Sequence, residues 1–213
     1  MVLSAKNVYK TIKKKTILQD VTINLCSGSV YGFVGRNGSG KTMLFRALSG
    51  LMSIDKGAVS LDDKVLSKDF SVLPRLGIVL ENAGLYPEYT GYRNLELLAK
   101  LNGVADQSAI KSAILRVGLD PADKRSYRKY SLGMKQRIAI AQAIMEKPDI
   151  IMLDEPTNSL DESGVACIRD IVREEKDRGA LILLASHNKE DIQLLSDHIF
   201  HMEDGLLSEV KVF

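Results

Sequence analysis

The chain has 213 residues, 45% of them hydrophobic, with 29 lysines and arginines against 27 aspartates and glutamates, for a net charge of +2. This composition can bury a sizeable core and excludes a disordered chain, and the length fits one domain with room for an inserted subdomain. The mild charge offers no concentrated basic face, so nucleic acid is not an expected partner.

The N-terminal stretch MVLSAKNVYK carries no apolar signal region, and no apolar run reaches the roughly 18 residues of a membrane span, so any membrane role is expected to come through a partner. Lys13, Lys14 and Lys15 form the densest basic run and read as a solvated hairpin tip. TILQDVTINL then alternates polar and apolar, the pattern of an antiparallel strand. VYGFV (30–34) is a short apolar strand that passes through a glycine-rich turn into a helix over Lys41–Leu48. A further strand is expected at Leu76–Leu80. The region 82–145 turns helical, in YRNLELLAKL, AIKSAILRVGL and SLGMKQRIAIAQAIM.

PDIIMLDEP (148–156) and ALILLASH (180–187) are continuous apolar runs that fit strands covered on both faces, with a helix over Glu162–Arg178 between them. Alternating strands and helices predict an α/β fold: a phosphate-loop core with a mostly parallel sheet, an N-terminal antiparallel β subdomain and an inserted α-helical subdomain. The expected division is one domain, with residues 1–81 and 146–213 as core and β subdomain and 82–145 as the helical insertion. Cys26 and Cys167 are too few and too distant for a disulfide framework and read as buried thiols of a reducing compartment. His198 and His201 fall in a predicted strand, where an offset of three sends them to opposite faces and excludes a shared metal.

The sharpest motif is Gly35-Arg-Asn-Gly-Ser-Gly-Lys41-Thr42, which matches the phosphate-loop pattern in the strand–turn–helix context it requires. Its glycines let the backbone curl so that successive N–H groups face a phosphate. Gly35, Asn37, Gly38, Ser39, Gly40, Lys41, Thr42 and Met43 are therefore the expected nucleotide contacts. Lys41 bridges the β- and γ-phosphates, and the Thr42 hydroxyl is a ligand for Mg²⁺. At the end of the next buried strand, Asp154 is the expected partner of the metal shell. Glu155 is placed to polarise water toward the γ-phosphate. YSLGMKQR (130–137) opens a second helix with a serine, a glycine and basic residues, which is also an anion-binding arrangement.

The order of these motifs resembles the nucleotide-binding subunits of ABC transporters, from about Leu3 to Leu207. YSLGMKQR resembles that family's signature, usually written LSGGQ, with Ser131 and Gly133 retained and Tyr130, Leu132 and Met134 departing. Asn158-Ser159-Leu160-Asp161 matches the loop after the acidic strand, and Ala185-Ser186-His187 matches the switch-histidine segment. The resemblance implies a head-to-tail homodimer with ATP sandwiched between the copies. Ser131 and Gly133 would then bind the nucleotide held by the other copy, and Asp161 would reach across the interface. Catalysis would rest on Glu155, His187 and Lys41, with ATP and Mg²⁺ as cofactors. His187, at the carboxyl end of a strand, would bond the γ-phosphate. A separate transmembrane permease would be the second partner, met by the segment 83–92, and would hold the chain on the cytoplasmic face of the membrane.

Three further positions depart from the family. Glu81 stands where glutamine is common and is expected to keep the metal contact with an added charge. With LYPEYTGYRNL behind it, it resembles the branch serving bacterial drug and antimicrobial-peptide exporters, lantibiotic self-protection systems included. Ile12 falls where an aromatic ring usually stacks on adenine, and offers an apolar contact without stacking. Met43 replaces a common second hydroxyl. The rival reading is a soluble, non-transport ATPase of the same family acting on a macromolecular complex. NKED (188–191) matches a guanine-reading motif by letters alone, at a predicted helix start.

Overall fold

The computed structural model describes residues 1–80 and 84–210. The chain opens with β1 (Val2–Ile12) and β2 (Lys15–Cys26), an antiparallel hairpin turned by Lys13 and Lys14, both at positive φ and both exposed. Next come β3 (Val30–Val34), α1 (Lys41–Ser49), β4 (Lys56–Leu61), β5 (Lys64–Val65) and β6 (Leu76–Val79). Three helices follow: α2 (Gly91–Asn102), α3 (Gln107–Arg116) and, after a single 3-10 turn at Tyr127–Lys129, α4 (Leu132–Ile144). The last third runs β7 (Ile150–Asp154), α5 (Glu162–Asp177), β8 (Leu181–Ser186), α6 (Lys189–Leu195), β9 (His198–Glu203) and β10 (Leu206–Val210).

Two sheets result. β2-β1-β4-β5 is antiparallel, and a six-stranded sheet runs β10-β9-β3-β8-β7-β6, parallel except for β10. Every residue of β3, β7 and β8 is buried, which is why these strands read as continuous apolar runs rather than alternating ones. Period two still governs them. Val30, Ile151, Leu153, Ile182 and Leu184 face one apolar cluster, shared with α4 and α5. Tyr31, Phe33, Met152, Leu181 and Leu183 face the other, shared with α1 and the antiparallel sheet.

β2 alternates instead: Val21, Ile23 and Leu25 are buried, while Thr22, Asn24 and Cys26 face out. This corrects the expectation of two buried thiols. Cys26 is exposed because it takes the face opposite Leu25, and Cys167 is half-buried.

α4 lies tight against β6. A Cβ built on Gly77 would stand 2.0 Å from the carbonyl oxygen of Ala143, a backbone atom that cannot step aside. Gly77→Ala therefore pushes α4 off the sheet, and overpacking of this kind costs about 1–3 kcal/mol. We expect a lower urea midpoint at unchanged slope; an unaltered midpoint would contradict the packing.

Candidate active site at the carboxyl edge of the sheet

β3, β7 and β8 are neighbours in register, with Val34 opposite Ser186 and Asp154 opposite Ala185. The loops that leave them therefore emerge together at the carboxyl edge, where open α/β folds bind their ligands. A cleft of about 1060 Å³ opens there. Asn37, Gly38, Gly40, Lys41, Thr42, Met43, Asp154, Glu155 and His187, all expected from the sequence, line it.

The phosphate loop follows β3. Gly38 has φ 82° and Gly40 φ 113°, left-handed values that a side chain would strain. A Cβ on Gly40 would also stand 2.9 Å from the carbonyl oxygen of Ile17. α1 then begins with no side-chain cap and no acidic residue in its first turn. The other helices, α2 to α6, are capped by Thr90, Asp106, Ser131, Asp161 and Asn188. An uncapped helix start with free N–H groups is a fitted anion site. Lys41, only 6% exposed, turns its ammonium onto the loop, donating to the carbonyls of Gly35 at 2.7 Å and Arg36 at 3.4 Å. Ser39 Oγ is buried and finds no hydrogen-bond partner among the described residues.

The Thr42 hydroxyl donates to Asp154 Oδ2, joining phosphate loop and β7. Asp154 is itself 7% exposed. Next to it, Glu155 has φ 51°, a left-handed conformation unusual for a side chain of this size; such strain, of order 1–3 kcal/mol, collects at functional sites. Its amide donates to the carbonyl of Ala185 at 2.8 Å, clamping the turn to β8. Both carboxylate oxygens are occupied. Oε1 accepts from the His187 amide at 3.0 Å, and Oε2 accepts from Ser186 Oγ at 3.2 Å and lies 2.8 Å from His187 Nδ1.

The start of α4 stands across the cleft. Ser131 Oγ accepts from the Met134 amide at 3.1 Å and so caps the helix. Ser131 is exposed, and neighbouring Leu132 is 71% exposed. Gly133 packs against the loop after Glu155: a Cβ there would lie 2.8 Å from the carbonyl oxygen of Ser159. Asp161 caps α5, accepting from the Gly164 amide at 3.0 Å, and pairs with Arg137 of α4 at 2.7 Å within the same chain.

Some residues fall elsewhere. Ile12 ends β1, 38% exposed, and is not among the residues lining the cleft; Ile17, on the returning strand, lines it. Glu81 lies outside the described residues. Sequence reasoning missed Gln136, whose amide donates to the carbonyls of Glu155 and Pro156, both at 3.4 Å, and Lys135, which lines the cleft and lies over the Tyr127 ring. Both sit inside the quoted YSLGMKQR; Lys135 four residues after Ser131 and Gln136 four after Leu132 are helical spacings that signal them.

With this geometry in place, comparison with known proteins is direct. Residues 18–158 match the ABC transporter family. An ABC transporter ATP-binding protein of Bacillus subtilis strain 168, YybJ, is 46% identical over 201 residues, covering 94% of this chain and 92% of that protein. The bacitracin transport ATP-binding protein BcrA of Enterococcus faecalis is 35% identical, covering 99% and 70%. The lantibiotic transport ATP-binding protein SrtF of Streptococcus pyogenes is 34% identical, covering 95% and 87%. Among solved structures, the dimeric bacterial ABC transporter cassette MJ0796 superimposes with a TM-score of 0.88 at 23% identity, covering 99% of this chain and all of that one.

The Asp161 carboxyl is held below the usual range, chiefly by the Gly164 amide, then by the Ser163 hydroxyl, with Arg137 adding. A depressed folded-state value means that the charged form stabilises the fold at neutral pH, and that this contribution is lost as pH falls below about 4. In thermal melts at stepped pH, the wild type is expected to lose its advantage over Asp161→Asn on acidification; parallel curves would contradict this. Motif order, cleft geometry and relatives agree, and the chain belongs to the ABC transporter family as an ATP-binding subunit with the cassette fold.

Proposed function

We propose that this chain is the ATP-hydrolysing motor of an exporter whose membrane-spanning permease is a separate subunit, and that two copies mate head to tail around two ATP molecules. The observation that carries the hydrolytic part is the 2.8 Å contact of His187 Nδ1 with Glu155 Oε2, beside the uncapped start of α1.

The free amides of the phosphate loop and α1 would take the β- and γ-phosphates, and Lys41 Nζ would exchange loop carbonyls for phosphate oxygens. The Thr42 hydroxyl and Asp154 carboxylate, already joined, offer the hard oxygen atoms that Mg²⁺ prefers, and they would hold it. When bound, the ion supplies charge neutralisation on the phosphate oxygens. Glu155 orients water for in-line attack on the γ-phosphorus and receives its proton, giving ADP and inorganic phosphate. His187, with Nδ1 against Glu155 Oε2, would present Nε2 to the γ-phosphate.

The second half of each site would come from the partner copy. Ser131 accepts the Met134 amide, which leaves its hydroxyl proton free to bond a terminal phosphate brought by another molecule. The dimeric cassette of the same fold supports this mating.

The loop before α2 suits a permease. Tyr86 and Tyr89 are 63% and 43% exposed, with ring centroids 5.6 Å apart. They stand on a rigid base, because buried Asn94 accepts from the Tyr86 amide at 2.7 Å and donates to the carbonyls of Tyr86 and Thr90, both at 3.0 Å. No helix among the described residues is long and apolar enough to cross a membrane, so the permease would hold the chain on the inner face. Relatives named for bacitracin and lantibiotic transport support a drug or antimicrobial peptide as the cargo.

Purified Glu155→Gln, given ATP and Mg²⁺, is expected to elute as a dimer with turnover reduced at least a hundredfold. A monomer that hydrolyses ATP at the wild-type rate would overturn the proposal.

A further inference from the structure

The buried carboxylate of Asp191 has no place in the scheme above, and its four-letter context, NKED, matches another family's motif only by accident. It is 4% exposed, on α6, four residues after His187. Its Oδ2 accepts from Thr157 Oγ1 at 2.7 Å, and Thr157 is two residues after Glu155. Its Oδ1 accepts from Arg169 of α5, from Nε at 3.0 Å and from a terminal nitrogen at 2.6 Å. One buried carboxylate thus ties together the segment that follows Glu155, the segment that follows His187, and the helix packed beneath both.

The charge balance explains how a carboxylate can sit there. Burial of an ionised acid is costly unless it is paired and hydrogen-bonded, and here one oxygen takes a guanidinium fork while the other takes a hydroxyl. Arg169 keeps 24% of its side chain exposed, so water shares its charge. The arrangement is rigid where rigidity matters. Glu155 is held in a strained backbone conformation, and its carboxylate meets His187 through short contacts that a small shift of either loop would break. Misplacement by about 1 Å can cost a hundredfold in rate.

We propose that Asp191 is a positioning residue for hydrolysis: through Thr157 and Arg169 it fixes the loop of Glu155 against the loop of His187, without touching the nucleotide. The proposal rests on the catalytic reading of Glu155 and His187. Its signature is a split between turnover and affinity. Among the described residues no hydrogen bond links the phosphate loop or α1 to Asp191, Thr157 or Arg169, so Asp191→Ala is expected to lower kcat at least tenfold while KM for ATP stays within twofold. Thr157→Val should reproduce much of that loss, and the double variant should be no slower than Asp191→Ala, because both substitutions break one contact. Asp191→Asn, which still accepts from Thr157, should recover part of the rate.

The assay is steady-state ATP hydrolysis on all four variants, with Glu155→Gln alongside. If Glu155→Gln turns over like the wild type, the catalytic reading fails and the inference with it. If Glu155→Gln is inactive while Asp191→Ala and Thr157→Val keep kcat within twofold of the wild type, the reading stands and Asp191 has no positioning role. A KM that rises in step with falling kcat, or additive losses in the double variant, also overturns it. Should Asp191→Ala fail to fold, Thr157→Val, which deletes one hydroxyl contact, decides the matter by the same kcat–KM split.

Discussion

Three parallel strands that end level with one another are the constraint on which the rest of this molecule depends. β3, β8 and β7 lie side by side, so the phosphate loop, the Glu155 turn and the His187 turn cannot leave the sheet anywhere except together. The apolar side chains that bury these strands on both faces do more than stabilise the fold. They set the separation of Lys41, Asp154, Glu155 and His187 before any ligand arrives, the preorganisation on which the proposed hydrolysis relies. The polar cross-ties then act as fine adjustment: Thr42 to Asp154, the Glu155 amide to Ala185, and the Glu155 carboxylate to Ser186 and His187.

Under the proposed mating, α4 would answer to a second site while it stands on the first. Its exposed start carries Ser131 and Gly133, while its next turn reaches back through Gln136 to the carbonyls of Glu155 and Pro156 and through Arg137 to Asp161. Gly133 is pressed against Ser159 in the same loop. The start of this helix is thus tied to the loop that carries Glu155.

Much of this was legible in the sequence for identifiable reasons. Strands buried on both faces announce themselves as apolar runs, and the phosphate loop is a local motif whose glycines have local reasons. The helices of 91–144 follow from their spacing and from Thr90 and Ser131 as caps. What escaped was long-range or depended on strand phase. Cys26 looked like a core thiol, but it follows Leu25 in an alternating strand and faces out. The family resemblance points to Ile12 as the adenine contact, whereas the hairpin turn at Lys13 and Lys14 brings Ile17 of the return strand to the cleft. Asp191 and Arg169 are far apart in sequence and obey no period, so nothing local marks them as partners.

The central claim is that each active site is assembled from two chains. It is tested most directly by bridging them, after Cys26→Ser and Cys167→Ser remove the native thiols. One population then carries Asn37→Cys and the other Ser131→Cys, and the mixture is treated with a short bismaleimide. The account predicts a covalent heterodimer that forms with ATP and not without it. Contradiction would be no covalent product between the two populations at saturating ATP, or a yield that is the same with and without ATP.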